Sequence, residues 1–286
     1  MPHSASASAS GAAGKAWSTV SVEFDRGVAW VSLNRPDKRN AMNPTLNAEM
    51  FEVLDYLEAD ERCGVVVLTG AGESFSAGMD LKEYFRETEA KGYIAVRHAQ
   101  RDAYGWWKRL RWFEKPTIAM VNGWCFGGGF APLFACDLAV AAETATFGVS
   151  EINWGIIPGG NVTKVLVELM SQREAMYYTL TGDTFDGKQA AGFKIVNEAV
   201  PLDQLRTRVR EIADSLLEKN PKTLKAAKDA VKRVIEMTVD ASEDYLVMRQ
   251  EALNFQDKTE GRKQGIKQFI DDKSYRPGLG AYKKAD

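Results

Sequence analysis

Ile118-Ala-Met-Val-Asn-Gly-Trp-Cys-Phe-Gly-Gly-Gly-Phe-Ala-Pro132 runs from an apolar strand into three consecutive glycines and on into a helix-compatible segment. Glycine has no Cβ to hold a ligand off the main chain, so such a run lays N–H groups bare for an anion. Twenty residues after Ala131 stands Glu151, in the turn-rich stretch Ser150-Glu-Ile-Asn-Trp-Gly-Ile-Ile-Pro-Gly159. A backbone anion site with one carboxylate nearby points to chemistry through an enolate.

Working outward, Thr117 to Val121 has continuous apolar neighbours in kind at Val65 to Thr69 and Leu138 to Ala142. Unbroken runs of this sort mark strands covered on both faces. Val20 to Phe24 and Val28 to Leu33 alternate instead, with Asp25-Arg-Gly27 as a tight turn between them. Asn43 is placed to cap a helix that has Pro44 at its first position and Leu46, Met50, Val53, Leu54 and Leu57 along one stripe. Gly70 to Asp80 reads as a long glycine-bearing loop, and residues 93–113 as an aromatic-rich helix with Trp106, Trp107 and Trp112. Short strands alternating with helices predict α/β layering.

After Pro201 the pattern changes. Leu202, Leu205, Val209, Ile212 and Leu216 keep a helical period, Asn220-Pro221 opens a helix with Leu224, Ala227, Val231 and Val234, and two more helices are expected around 245–255 and 261–270. The expected organisation is a disordered Ser/Ala/Gly tail at 1–17, an α/β core with the site at 18–200, and a helical region at 201–286.

Composition narrows the chemistry. The net charge of −2 announces no basic face for nucleic acid. Lys219, Lys222, Lys225, Lys228, Lys232 and Arg233 could form a basic RNA-binding helix, but at spacings of threes and fours they read as one solvated face. Three cysteines without a Cys-x-x-Cys spacing argue against disulfides and a thiolate zinc site, and fit a reducing cytoplasm. Of the two histidines, His3 lies in the tail and His98 in a polar helical stretch, so a histidine-rich metal site cannot be built and His98 reads as a solvated residue. No window reaches the roughly 20 apolar residues of a membrane span. A soluble cytoplasmic protein is expected, with neither nucleic acid nor membrane as partner.

Asn34-Arg-Pro, Asn40-Ala-Met, Ser76-Ala-Gly-Met-Asp-Leu81, Val121-Asn-Gly123, Gly127-Gly-Gly129, Cys136-Asp137, Thr146-Phe-Gly148, Glu151 and Gly155-Ile-Ile-Pro-Gly159 occur in this order along the chain. In order and spacing they resemble the crotonase (enoyl-CoA hydratase/isomerase) superfamily, over nearly everything from Val20 to Ile270. The resemblance implies an α/β fold, the crotonase (ClpP-like) ββα superhelix with a C-terminal all-helical trimerisation region. It implies a CoA thioester as substrate, self-association as a trimer or a dimer of trimers, and no cofactor or metal, CoA being part of the substrate. It also implies an oxyanion site made by the backbone N–H groups of Met79 and Gly128.

Enoyl-CoA hydratases of the common kind use two glutamates. The second matches Glu151, whereas the first matches Ala131, which cannot transfer a proton. The chain is more similar to the hydroxycinnamoyl-CoA (feruloyl-CoA) hydratase-lyases, in Met79-Asp-Leu-Lys-Glu-Tyr-Phe85, Asn122-Gly-Trp-Cys-Phe-Gly-Gly-Gly-Phe130, Ser150-Glu-Ile-Asn-Trp-Gly155 and Gly265-Ile-Lys-Gln-Phe-Ile-Asp-Asp-Lys-Ser274. That resemblance implies hydration of the substrate's side-chain double bond and retro-aldol cleavage to an aromatic aldehyde and acetyl-CoA, with Glu151 as the one acid/base.

The resemblance makes Tyr84 the residue that grips the phenol. Trp154 and Phe130 either wall the ring slot or are core aromatics. Lys38 is placed for the phosphates or adenine end of CoA, unless Lys38 and Arg39 are ordinary loop cations. The backbone of Ala77, Gly78, Asp80, Leu81 and Lys82 is expected to hold CoA as well, Gly129 and Ala131 to bind substrate, and Ser150 and Gly159 to shape the loop, unless Ser150 is a plain turn residue. Members of the subfamily have serine where Ala131 stands and a second phenol-binding tyrosine where Val247 stands. Either Tyr245 replaces that tyrosine or Tyr84 acts alone. Other crotonase reactions, hydratase or double-bond isomerase, remain open to a site with a single carboxylate, and the aryl-CoA dehalogenase is disfavoured by Asn153 in place of a nucleophilic aspartate.

Overall fold

The apolar runs become the central strands of a two-sheet molecule. A computed structural model describes residues 16–274, so the expected tail at 1–17 lies almost wholly outside the described residues. The strands are β1 (Val20–Asp25), β2 (Val28–Leu33), β3 (Val65–Gly70), β4 (Ser74–Ser76), β5 (Thr117–Val121), β6 (Trp124–Phe126), β7 (Leu138–Ala142), β8 (Thr146–Gly148), β9 (Thr184–Asp186) and β10 (Glu198–Val200). One sheet has the order β1-β2-β3-β5-β7-β10 and the other β4-β6-β8-β9. The β1/β2 hairpin is antiparallel, and from β2 onward the first sheet is parallel, with Ile118 opposite Leu138 and Met120 opposite Val140. β3, β5 and β7 are buried along nearly their whole lengths, as unbroken apolar runs demand.

Each of β3, β5 and β7 steps into a three-residue strand of the second sheet (β4, β6 and β8) before the chain turns helical. This repeated strand–strand–helix step is the ββα superhelix. The expected loop from Gly70 to Asp80 therefore contains a strand. Three residues are too few to show a period of two, so pairing across distant segments is what reveals β4, β6 and β8.

The helices are α1 (Pro44–Ala59), α2 (Glu87–Ala90), α3 (Tyr93–Arg111), α4 (Phe130–Ala135), α5 (Val162–Leu169), α6 (Gln172–Thr181), α7 (Gly187–Gly192), α8 (Leu202–Leu217), α9 (Pro221–Val234), α10 (Val239–Gln256) and α11 (Gly261–Ile270). Asn43 caps α1 by accepting from the Leu46 N–H at 2.9 Å, and the whole predicted stripe from Leu46 to Leu57 is buried. α3 packs on α1, where the buried Trp106 Nε1–H donates to Asn47 Oδ1 at 2.9 Å. α8 lays Leu205, Val209 and Ala213 against the parallel sheet. Leu202 is 54% exposed, so the stripe of α8 is one turn shorter than its periodicity implied.

The lysine series of α9 does not form one solvated face. Lys228 donates to Asp137 Oδ2 at 2.7 Å and to the Lys115 carbonyl at 2.9 Å, and Lys232 pairs with the other Asp137 oxygen. Lys225 pairs with Glu114. The side chains of Asp137, Lys228 and Lys232 are only 13%, 10% and 17% exposed, so the carboxylate at the end of α4 ties α9 to the core. Burial pulls the Lys228 pKa down against the opposing pull of Asp137. Removing one partner of a buried pair strands the other charge. Asp137→Ala is expected to lower the unfolding free energy by about 3–5 kcal/mol, read from urea denaturation. A loss below about 1 kcal/mol would mean that the cluster acts like an exposed pair.

Candidate active site

Two loops leave the second sheet side by side and meet. After β6, Gly127–Gly129 forms a single 3-10 turn that leads into α4. After β4, the chain reaches Gly78 and Met79, where Met42 N–H donates to the Gly78 carbonyl at 2.7 Å and Asp80 N–H to the Met42 carbonyl at 3.0 Å. This bridge uses the groups on either side of Met79 and leaves the Met79 N–H outside it. Gly78 has φ +91, and a Cβ there would stand 2.7 Å from the Phe126 carbonyl oxygen and 3.0 Å from Gly128 N. A Cβ on Gly128 would in turn stand 3.3 Å from Met79 N. The two backbone segments thus approach at glycine distance. Gly128 is the second residue of its helical turn, where an N–H has no intrahelical acceptor.

A buried polar lattice holds these loops. Ser76 Oγ donates to the Asn40 carbonyl at 2.9 Å and accepts from the Gly78 N–H at 3.1 Å. Asn40, fully buried, accepts from the Arg35 N–H and donates to the carbonyls of Ala71 and Ser74. Asp80 caps the following π-helical turn, Leu81–Arg86, by accepting from the N–H groups of Lys82 and Glu83, and its other oxygen pairs with Arg35 at 3.0 Å. Burial alone would raise the Asp80 pKa, but these N–H groups and the guanidinium outweigh it and keep the carboxyl below its ordinary range. Asp80 is therefore an ionised anchor of the loop.

Glu151 opens a 3-10 turn, Glu151–Trp154, that Gly155 closes in a left-handed conformation. Its carboxylate lies against the glycine turn, since a Cβ on Gly127 would stand 3.1 Å from Oε1. Oε2 is buried and has no protein partner. Burial raises the Glu151 pKa above the ordinary 4.5, with only a minor opposing hydrogen bond from its own backbone. An under-solvated carboxyl with a free oxygen is what proton transfer requires.

A cleft of about 810 Å³ opens on this carboxylate. Of the residues expected at the site, Lys38, Ala77, Met79, Asp80, Leu81, Lys82 and Tyr84 line it. So do Gly128, Ser150, Glu151, Trp154 and Gly159. Gly78 contributes through backbone geometry only, and Gly129 is packed under Ser76, whose carbonyl oxygen a Cβ would meet at 2.7 Å. Lys38 is exposed, while Arg39 stacks over the Trp124 ring at 4.3 Å.

Three of the expected residues lie outside the cleft of the single chain. Phe130 is fully buried and packs with Phe134, Phe147 and Phe185, because α4 turns its first residue inward; it is a core aromatic and not a slot wall. Ala131, 6% exposed on the same short helix, does not line the cleft either. Tyr245 sits on α10 and does not line the cleft of its own chain.

Tyr84 is 6% exposed and packs edge-on against Phe85. Burial, with a smaller contribution from Tyr104, raises its pKa above the ordinary phenol value, so its hydroxyl stays neutral and can donate or accept. Sequence reasoning missed the contribution of α3, from which Gln100, Tyr104 and Trp107 line the cleft. Their spacing of four and three places them on one helix face, which was the available signal. Among the described residues no cluster of three His, Cys, Asp or Glu side chains is arranged for a metal ion, and no helix is long and apolar enough to cross a membrane.

A model of the family described as enoyl-CoA hydratase/isomerase matches residues 23–276, and the chain belongs to that family. The sequence is 57% identical over 269 residues to the hydroxycinnamoyl-CoA hydratase-lyase of Pseudomonas fluorescens, covering 94% of this chain and 98% of that protein. It is 32% identical over 253 residues to the 2,3-dehydroadipyl-CoA hydratase of Escherichia coli, covering 88% of this chain and 96% of that one. Among solved structures, an enoyl-CoA hydratase from Bacillus anthracis matches with a TM-score of 0.81 at 28% identity, covering 93% of this chain and 99% of that chain.

Proposed function

We infer that this chain is a hydratase-lyase acting on 4-hydroxycinnamoyl-CoA thioesters such as feruloyl-CoA. The observation that carries the reading is the lone, buried Glu151 carboxyl, with one unpartnered oxygen, set against the turn that bears Gly128. The 57% identity to a hydroxycinnamoyl-CoA hydratase-lyase supports the same substrate class.

In the first stage Glu151 takes a proton from water as the water oxygen bonds to the β-carbon. The electron pair of the double bond moves to the thioester oxygen, held by the N–H groups of Met79 and Gly128, and Glu151 returns the proton to the α-carbon. In the second stage Glu151 removes the proton of the new β-hydroxyl, and the bond between the α- and β-carbons breaks. The aldehyde leaves, the acetyl-CoA enolate occupies the same oxyanion site, and Glu151 protonates its carbon. Substrate and water become aldehyde and acetyl-CoA, so the stoichiometry calls for no cofactor. One acid/base and one enolate site serve both stages.

Lys38 and the backbone from Ala77 to Lys82 hold CoA, Tyr84 grips the phenol, and Ser150 and Gly159 shape the loop around Glu151. The assembly is a trimer or a dimer of trimers. In support, α10 has no buried residue in the single chain while Leu246, Val247, Met248 and Phe255 are exposed, and a groove of about 1200 Å³ runs beside Leu224, Leu253 and Ile266. Apolar surface of this extent calls for a second copy. Three buried free cysteines fit work in the reducing cytoplasm; burial pushes the thiol of Cys63 up to about 11 and that of Cys136 up to about 12.

Purified protein given feruloyl-CoA and no other reagent should release vanillin and acetyl-CoA in equal amounts. Accumulation of the β-hydroxy thioester without aldehyde would reduce the enzyme to a hydratase. The pH profile provides a second check. Glu151 must be ionised to begin, and its pKa is raised, so activity should fall as pH drops through a value above 4.5. An acid limb of kcat/KM at or below the ordinary glutamate value would contradict a buried Glu151 as base.

A further inference from the structure

The face of α3 that lines the cleft carries Gln100, Tyr104 and Trp107, and Tyr104 is the phenol among them. Tyr104 and Tyr84 line the same cavity. The Tyr104 hydroxyl also has a second locator: a Cβ on Gly159 would stand 3.6 Å from it. The hydroxyl therefore sits beside the loop that follows Glu151, in the cavity that Tyr84 also lines. Its ring packs on Trp107 at 5.4 Å, and Trp107 is in turn held against Gly160, where a Cβ would meet the indole at 2.6 Å. Among the described residues neither tyrosine hydroxyl has a hydrogen-bond partner in the protein. Tyr245 and Val247 do not line the cleft of their own chain.

We propose that Tyr104 supplies the second hydroxyl that recognises the 4-hydroxyl group of the substrate's ring, acting with Tyr84 as a specificity-determining pair. This rests on the hydratase-lyase reading. A phenol oxygen both donates and accepts, so two tyrosine hydroxyls can satisfy it from two directions. The thioester that lacks the 4-hydroxyl leaves both tyrosines unpaired, and loss of such a pairing is what lets a site reject an analogue.

The test measures binding of two saturated thioesters that cannot be hydrated, 3-(4-hydroxyphenyl)propanoyl-CoA and 3-phenylpropanoyl-CoA, by calorimetry. Unmodified protein should prefer the phenol. Tyr104→Phe should weaken the phenol thioester about tenfold, the size of one net hydrogen bond, and leave the phenyl thioester within about twofold. Tyr84→Phe should do the same, and the double variant should bind both alike. Equal binding of the two thioesters by the unmodified protein, or full preference retained in Tyr104→Phe, would overturn the assignment. Because neither probe can turn over, the result stands apart from the reaction. Failure of the unmodified protein to release aldehyde from feruloyl-CoA would defeat the hydratase-lyase reading instead.

Discussion

Glu151→Gln is expected to lower kcat for aldehyde release from feruloyl-CoA by about 10²–10⁴-fold, the usual worth of a positioned general acid/base, while KM changes little. The amide keeps the size of the carboxyl and its place against Gly127, so binding is preserved. It cannot accept the proton of water or of the β-hydroxyl, so both stages stop at their first proton transfer. Stability should move the other way. A carboxyl whose folded pKa is raised by burial contributes most to stability below its unfolded pKa, and that contribution is lost as pH rises through the folded value. At neutral pH the buried charge is a burden, so the variant should melt no lower than the unmodified protein. Near-normal cleavage by Glu151→Gln would remove Glu151 from the mechanism, and a collapsed melting temperature would give it a structural role.

Gly78→Ala is expected to cost about 10²–10³ in kcat, the loss seen when one oxyanion donor is misplaced. Gly78 occupies a left-handed conformation, and the added methyl would stand 2.7 Å from the Phe126 carbonyl oxygen and 3.0 Å from Gly128 N. Those atoms belong to the strand and turn that present the proposed second donor, the Gly128 N–H. The loop can relieve the clash only by moving the Met79 segment away from Gly128. The enolate loses more than the ground state, so binding of a saturated thioester should weaken less than kcat. Equal loss in both would mean that the two N–H groups bind thioester without favouring its enolate.

The origin of these two effects differs in how visible it is along the chain. Glu151, the glycine turn, the Asn43 cap and the apolar strands announce themselves through local composition. Phe130 does not reveal its direction, because a six-residue helix can aim its first side chain at core or cleft, and only packing against Phe147 and Phe185 decides. Tyr104 was hidden for the opposite reason. Helix α3 has two adjacent stripes, with Ala99, Ala103, Trp106 and Leu110 in the core and Gln100, Tyr104 and Trp107 at the cleft. The neighbouring Trp106 and Trp107 blur the boundary between them. Lys228 and Lys232 look solvated until the buried carboxylate of Asp137, some 90 residues earlier, is brought beneath them by the sheet.

One carboxylate and one enolate site are proposed to perform hydration and cleavage in succession. Each stage protonates the α-carbon once from a solvent-derived proton. The most direct measurement is mass spectrometry of the products formed from feruloyl-CoA by the purified protein in D₂O. Vanillin and acetyl-CoA are expected in equal amounts, with two deuterium atoms on the acetyl methyl. Aldehyde formed with fewer than two, or a deuterated β-hydroxy thioester that accumulates uncleaved, would contradict that succession.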